Sequence, residues 1–425
     1  MWPFHRNDAH TIRSAQPFWM LRNGIGDAGA TLSQSLECDI AVVGAGITGA
    51  LVADALVSTG ARIVVLDRIG ISRGSTAATT ALLQYEIDTP LVELTKMLGA
   101  ARAARAYGAC VASFAALERR FPELLPLAEY ERRESLYLAS DARDLPMLRT
   151  ELAARRGMGI ACQWLEADEV RQRFGCRRPG AILSALGAQL DPVRFTRALL
   201  AGCTRHGVGL FERVAVEAIE ESGERLLLKT DLGHTVSARH VVVCAGYESL
   251  QFGPRDVAKI DNTFALVTEP LADPVRIASM PLIWESAHPY LYLRGTRDGR
   301  MIVGGADLPF KSAAARDLLL NRQIRRIAAQ YEDLFGAPLP PIAYSWAGSF
   351  ARTPDGLPCI GPMPGANPRL QFALCFGGNG ITYSAHAGEM IRAHIEGRPH
   401  ALDDVFGFGR LGEAVPADTT GAVAS

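Results

Sequence analysis

No apolar run in these 425 residues approaches the ~18 that a membrane-crossing helix needs. The opening stretch, MWPFHRNDAHTIRSAQPFWML, also lacks the apolar centre of a secretory signal, so a cytoplasmic protein with no integral membrane segment is expected. An excess of one charge is missing too. Lys and Arg number 44 against 45 Asp and Glu, a formal net charge of −1, which argues against nucleic acid or an anionic membrane as partner. Basic groups such as Arg322, Arg325 and Arg326 sit at helical spacing beside acidic residues and read as a solvated helix face. The eight cysteines (38, 110, 162, 176, 203, 244, 359 and 375) show neither CxxC nor CxxH spacing; reduced, mostly buried thiols and no metal site are expected.

What the chain does have is concentrated in residues 37–67, ECDIAVVGAGITGALVADALVSTGARIVVLD. An apolar strand, Ile40 to Val43, runs into a turn carrying Gly44, Gly46 and Gly49. A helix is expected to about Ser58, then a second apolar strand from Ile63 to Leu66, closed by Asp67. This is a βαβ dinucleotide fingerprint in its full context. Glycine at the first two positions lets a pyrophosphate approach the backbone amides, and the helix N-terminus offers unpaired N–H groups and partial positive charge. Asp67 is placed to accept hydrogen bonds from an adenosine ribose hydroxyl.

With 48% hydrophobic residues, a chain of this length has core enough for two domains. Residues 1–36 read as an extension packing on the surface as an arm, with one apolar patch from Pro17 to Leu21. A helical pattern runs from Leu91 to Phe121 and another from Asp144 to Arg156, with a short strand between, around Glu134 to Ala139. Strands are expected over Gly209–Ile219, Arg225–Thr230 and His240–Cys244; the last ends in Ala245-Gly246, either a backbone close to a ligand or a plain tight turn. From Asn262 to Gly305 alternation suggests antiparallel sheet, with Tyr290, Tyr292 and Arg294 on one face; an amphipathic helix follows over Arg316–Phe335. A second glycine cluster, FALCFGGNGITYSAHAGEMIRAHIEG, lacks GxGxxG spacing and a downstream acidic residue. Its glycines suit backbone amides and a helix N-terminus facing an electron-rich group, which points to a flavin.

Over about 370 residues, Asp39 to Arg410, the chain resembles the D-amino-acid oxidase superfamily of FAD-dependent oxidoreductases, which includes glycine oxidase, sarcosine oxidase and γ-glutamylputrescine oxidase. The pieces that carry the likeness come in order: GAGITG with Asp67, GSTAATTALLQ, the LDP of Leu190 to Pro192, VVVCAG, DGRMIVGG, WAGSFARTPDGLPCIGP and GGNGIT before a helix. The resemblance implies an α/β chain: a Rossmann-like FAD-binding domain (37–90, 148–253 and 345–410) with an inserted α+β substrate domain (91–147 and 254–344) built on an antiparallel sheet, and a flexible tail over 411–425.

By position, the resemblance places the pyrophosphate at Gly44, Gly46, Ile47, Thr48 and Gly49, and the adenosine at Asp67 and Arg68. Ser75 and Thr76 approach the flavin side, Val214 the adenine, Ala245 and Gly246 the pyrophosphate region. Gly378, Gly380, Ile381 and Thr382 belong to the isoalloxazine. Relatives that attach flavin covalently use a histidine or a cysteine where Ala78 and Gly348 stand here, so noncovalent FAD is expected. Relatives clamp a substrate carboxylate with an arginine where Phe350 stands here; Arg352, two residues on, shares a strand face and is the candidate substitute.

The implied reaction removes a hydride from a carbon bearing an amine, passing it to flavin N5 and leaving an imine for hydrolysis, with O2 or another acceptor as oxidant. Tyr290, Tyr292, Arg352 and Asn379 are the catalytic candidates, with Arg294 and His386 also considered for the flavin roof. For each, a structural role is the competing reading. Two other activities remain open from the residues alone: an FAD-dependent dehydrogenase of a non-amine substrate such as a hydroxy acid, and an NAD-dependent dehydrogenase, which would share GAGITG and Asp67.

Overall fold

The computed structural model describes residues 13–26, 29–253, 256–310 and 312–413. Part of the expected N-terminal arm (1–12, 27 and 28) and most of the expected tail (414–425) lie outside the described residues. Among the described residues the strands form sheets of nine, eight and three.

The eight-stranded sheet is organised around Leu36–Val43, where Ile40, Ala41 and Val42 are fully buried, as parallel strands covered on both faces require. This strand pairs in parallel with Ile63–Asp67 on one side and Thr235–Val243 on the other. Gly209–Glu212 extends the sheet beyond Ile63–Asp67. Thr235–Val243 divides its free edge: its first half takes Arg225–Thr230 antiparallel, and Val241 to Val243 take Leu370–Leu374 in parallel. The single strand expected over 209–219 is two, Gly209–Glu212 and Val216–Ser222, because Arg213 at φ 59° turns the chain between them.

The nine-stranded sheet has Lys259–Thr268 between Ile342–Arg352 and Met301–Leu308, both antiparallel to it. Tyr292–Gly295 and Leu282–Glu285 follow, and Leu282–Glu285 pairs in parallel with Ser135–Leu138, so the sheet is mixed rather than wholly antiparallel. Gly180–Ser184 and Cys162–Glu166 complete that edge. These last two strands and Ile342–Arg352 were expected with the nucleotide unit; their ladders place them in this sheet. Strand pairing is non-local, and contiguous stretches of sequence do not reveal it. Helix Ala313–Phe335 covers the sheet with Ile324, Ile327, Tyr331 and Leu334, an i, i+3, i+7, i+10 apolar stripe, and stops at Gly336 in the left-handed region.

The long helix expected from Leu91 is broken into Leu91–Leu98 and Ala100–Arg120 by Gly99 at φ 81°. The expected surface arm is anchored into the fold by its apolar patch, while most of its other described residues are exposed. Helix Phe18–Asn23 buries Phe18, Trp19 and Met20, and Trp19 Nε1–H donates to the Thr79 carbonyl at 2.8 Å, while Arg13–Ser14 adds to the edge of Ile342–Arg352. All eight cysteines are free thiols and seven are buried. Among the described residues no helix is long and apolar enough to cross a membrane.

Two helices of the nucleotide unit approach closely. A Cβ on Gly388 of Gly380–Ile395 would stand 2.7 Å from Ala55 Cβ and 2.8 Å from the Leu51 carbonyl of Ile47–Val57. Glycine there lets both helices aim their N-termini at the same space.

Candidate active site

One cavity is lined by residues of both large sheets, from the GAGITG turn to the strands around Tyr292 and Asp307. At its first end Gly44 has φ 113°, and a Cβ there would stand 2.5 Å from the Cys244 carbonyl. Gly46 precedes helix Ile47–Val57 and provides no side-chain cap. The Ile47 N–H donates to Thr76 Oγ1 at 2.9 Å, and the Thr48 and Ser384 hydroxyls are 2.8 Å apart. Asp67 accepts from the amides of Ala45 (2.7 Å), Ile69 (2.8 Å) and Gly70 (2.6 Å); burial nevertheless pushes its pKa up against the pull of those bonds. Arg68 pairs with Glu248 at 2.8 Å, and Val214 donates its N–H to the Asp67 carbonyl at 3.0 Å. Ser75, Ala245 and Gly246 also line this end.

In the middle, helix Gly380–Ile395 begins against the cavity, with Gly378, Asn379, Gly380 and Ile381 in its wall. The Asn379 side chain donates to the carbonyls of Gln84 (3.1 Å) and Glu86 (2.6 Å) instead of capping its own helix. Two helix N-termini without side-chain caps therefore face one cavity, each a site of partial positive charge.

The far end is built by side chains. Tyr290 and Tyr292 have ring centroids 5.6 Å apart. The Tyr290 hydroxyl donates to Asp88 Oδ1 at 3.0 Å, and Asp88 Oδ2 accepts from the Gly378 amide at 3.1 Å. Tyr292 and Thr263 hydroxyls lie 2.8 Å apart. Asp307, Phe350 and Phe376 complete the wall.

The arrangement fits a flavin dinucleotide: a Cβ-free turn and amides at one end, an acidic side chain closing the second strand, and a second helix N-terminus further on. The family model described as FAD dependent oxidoreductase matches residues 39–393. The chain belongs to that family. FAD is its cofactor and it is an enzyme, so the NAD-dependent alternative falls away. The protein YhfW of Bacillus subtilis is 23% identical over 381 residues, 88% of this chain and 72% of that protein. Gamma-glutamylputrescine oxidoreductase of Escherichia coli is 24% identical over 384 residues, 88% of this chain and 87% of that one. Among solved structures, glycine oxidase from Geobacillus kaustophilus superposes with a TM-score of 0.71 at 20% identity, over 87% of this chain and 98% of that chain. That likeness shows a shared fold.

Several candidate residues of this family member sit elsewhere than expected. Gly49 lies beneath the turn, where a Cβ would be 1.8 Å from the Gly44 carbonyl; it serves close packing and does not line the cavity. Thr382 is not among the residues lining the cavity; its hydroxyl donates to the carbonyl of Gln84, which is, at 3.0 Å. Arg352 is absent from the wall: its guanidinium Nε is 3.1 Å from Asp261 Oδ2 and the side chain is 44% exposed. Arg294 lies over the Trp19 ring and donates to the Leu190 carbonyl, and burial pushes its pKa down to about 9. The His386 ring bonds the Ala109 carbonyl at 2.7 Å between helices.

Sequence reasoning missed Asp88, Asp307, Thr263 and Glu248. A signal existed for Asp307: it is the one acidic residue in the otherwise apolar strand MIVGGADL.

Proposed function

We propose that this FAD-dependent oxidoreductase oxidises the C–N bond of a small amine or amino acid, leaving an imine that water hydrolyses, with O2 or another acceptor taking the electrons onward. The observation that carries this reading is the single cavity joining the fingerprint turn to a wall of tyrosines and carboxylates across the N-terminus of Gly380–Ile395. Relatives named gamma-glutamylputrescine oxidoreductase and glycine oxidase agree with it.

In this reading Gly44, Gly46, Ile47 and Thr48 hold the pyrophosphate, with Ala245 and Gly246 beside it, and Asp67 and Val214 meet the adenosine. Ser75, Thr76, Gly378, Gly380 and Ile381 surround the flavin ring. Ala78 and Gly348 line the cavity and carry no nucleophile, which suits noncovalent binding. FAD supplies the two-electron acceptor. The chain's own residues orient the amine against Tyr290 and Tyr292 and exclude water with Phe350 and Phe376, while Asn379 braces the segment that carries Asp88.

Anaerobic titration of the purified yellow protein with glycine, sarcosine, proline, D- and L-amino acids, polyamines and hydroxy acids tests the reading through flavin absorbance. Bleaching by an amine, with its carbonyl product and the released amine or ammonia recovered, is the expected result. Bleaching by a hydroxy acid and by no amine would overturn it.

A further inference from the structure

Asp88 and Asp307 lie within electrostatic reach of one another at the cavity end walled by the nine-stranded sheet. Asp88 is tied by both oxygens, to the Tyr290 hydroxyl and the Gly378 amide. Asp307 is different: Thr263 serves its carboxylate, yet Oδ1 is shut off from water and has no hydrogen-bond partner in the protein. A buried carboxylate oxygen left so is costly unless a donor arrives. Among the described residues, Arg68 is the one basic side chain lining the cavity, and it pairs with Glu248 at the fingerprint end. The two tyrosine faces beside the carboxylates are themselves favourable to a cation. A substrate carboxylate brought here would meet like charge, and Arg352 is already engaged by Asp261.

We propose that Asp307, supported by Asp88, binds the ammonium group of the substrate, so that the enzyme selects small cationic amines carrying no carboxylate beside the reacting carbon. This rests on the amine-oxidation reading and names the substrate class within it.

The charge environment agrees. Burial, with the negative charges of Asp88 and Asp261, pushes the Asp307 pKa up to about 7 against the pull of Thr263 and Arg352; Tyr290 and Tyr292 are the other titratable groups facing it. Because the pKa is raised, Asp307 carries its proton below that range and its charge above it. Ammonium binding therefore strengthens as pH rises through about 7.

The test uses two probes of one shape. tert-Butylammonium has no hydrogen on the carbon bearing nitrogen and cannot be oxidised there; pivalate is its carboxylate counterpart. With FAD-loaded protein at pH 8, tert-butylammonium is expected to perturb the flavin spectrum saturably, at a constant at least tenfold below that of pivalate. D307N should raise that constant at least tenfold and flatten its pH dependence between pH 6 and 8, with FAD content unchanged; D88N should raise it about threefold. Pivalate binding as tightly as the ammonium overturns the proposal. So does an unchanged constant in D307N, or loss of FAD from a folded D307N. If D307N does not fold, D88N decides: an unchanged constant overturns the proposal, and a weakened one supports it. Ammonium binding with this pattern but no amine ever bleaching the flavin would sink the oxidation reading alone. Bleaching by α-amino acids with pivalate as the tighter probe would sink this inference alone.

Discussion

The two ends of the cavity are built in opposite ways. The fingerprint end comes mostly from consecutive residues, Gly44 to Thr48 and then Asp67, and works through backbone: a Cβ-free turn, amides and a helix N-terminus. The far end is assembled from segments at Asp88, Thr263, Tyr290 to Tyr292, Asp307, Phe350 and Phe376 to Asn379, and works through side chains. The first tolerates almost no change in shape. At the second, single hydrogen bonds and charges are exchangeable at modest cost to the fold, and the proposed function puts substrate selection there.

Gly44→Ala is the strongest challenge to that contrast. Its Cβ would press on the Cys244 carbonyl at φ 113°, so a loss of about 3 kcal/mol and purification without bound FAD are expected. Flavin-to-protein absorbance and a thermal melt check this; full FAD occupancy would mean the turn is not the rigid end.

Asp67→Asn comes next. An amide NH2 would face one or more of the three backbone N–H groups that the carboxylate now satisfies, at a cost of about 1–3 kcal/mol. FAD affinity, measured by fluorescence on reconstitution, should fall about tenfold or more.

Tyr290→Phe moves to the side-chain end and removes the donor to Asp88, a loss of about 0.5–1.5 kcal/mol. Steady-state kinetics should show KM for the amine rising a few-fold with FAD content untouched; a lost flavin would blur the two ends.

Arg352→Ala has the smallest expected effect. Its partly exposed pair with Asp261 is worth less than about 1 kcal/mol, and substrate constants should move less than about twofold. A tenfold rise in KM confined to carboxylate substrates would instead return Arg352 to the site as a clamp.

The same contrast explains what could be read ahead of the structure. The βαβ unit was legible because its requirements are local: strand Ile63–Asp67 closes on the acidic residue expected, and helix Ile47–Val57 ends one residue short of the expected Ser58, although it starts early enough to take in Gly49, which was expected in the turn. Arg352 misled because alternation relates it to Phe350 along one strand, whereas its partner is chosen across the ladder, where Lys259 and Asp261 stand opposite 352 and 350. The N-terminal helix misled for a similar reason: Phe18 to Met20 read as an isolated apolar patch, and their burial depends on a groove made by residues far along the chain.

By itself, then, the sequence determined a dinucleotide turn and the order of most elements, since each follows from spacing within a few tens of residues, while its motifs, taken in order along the chain, carried the resemblance to an FAD-dependent family. Tertiary structure alone decided that Asp88 and Asp307 share a wall with two tyrosines, that Gly49 and Thr382 stand outside that lining, and that Arg352 pairs with Asp261. Those pairings join positions up to nearly 300 residues apart, as Asp88 and Gly378 show, and only packed sheets bring such positions within a hydrogen bond's length.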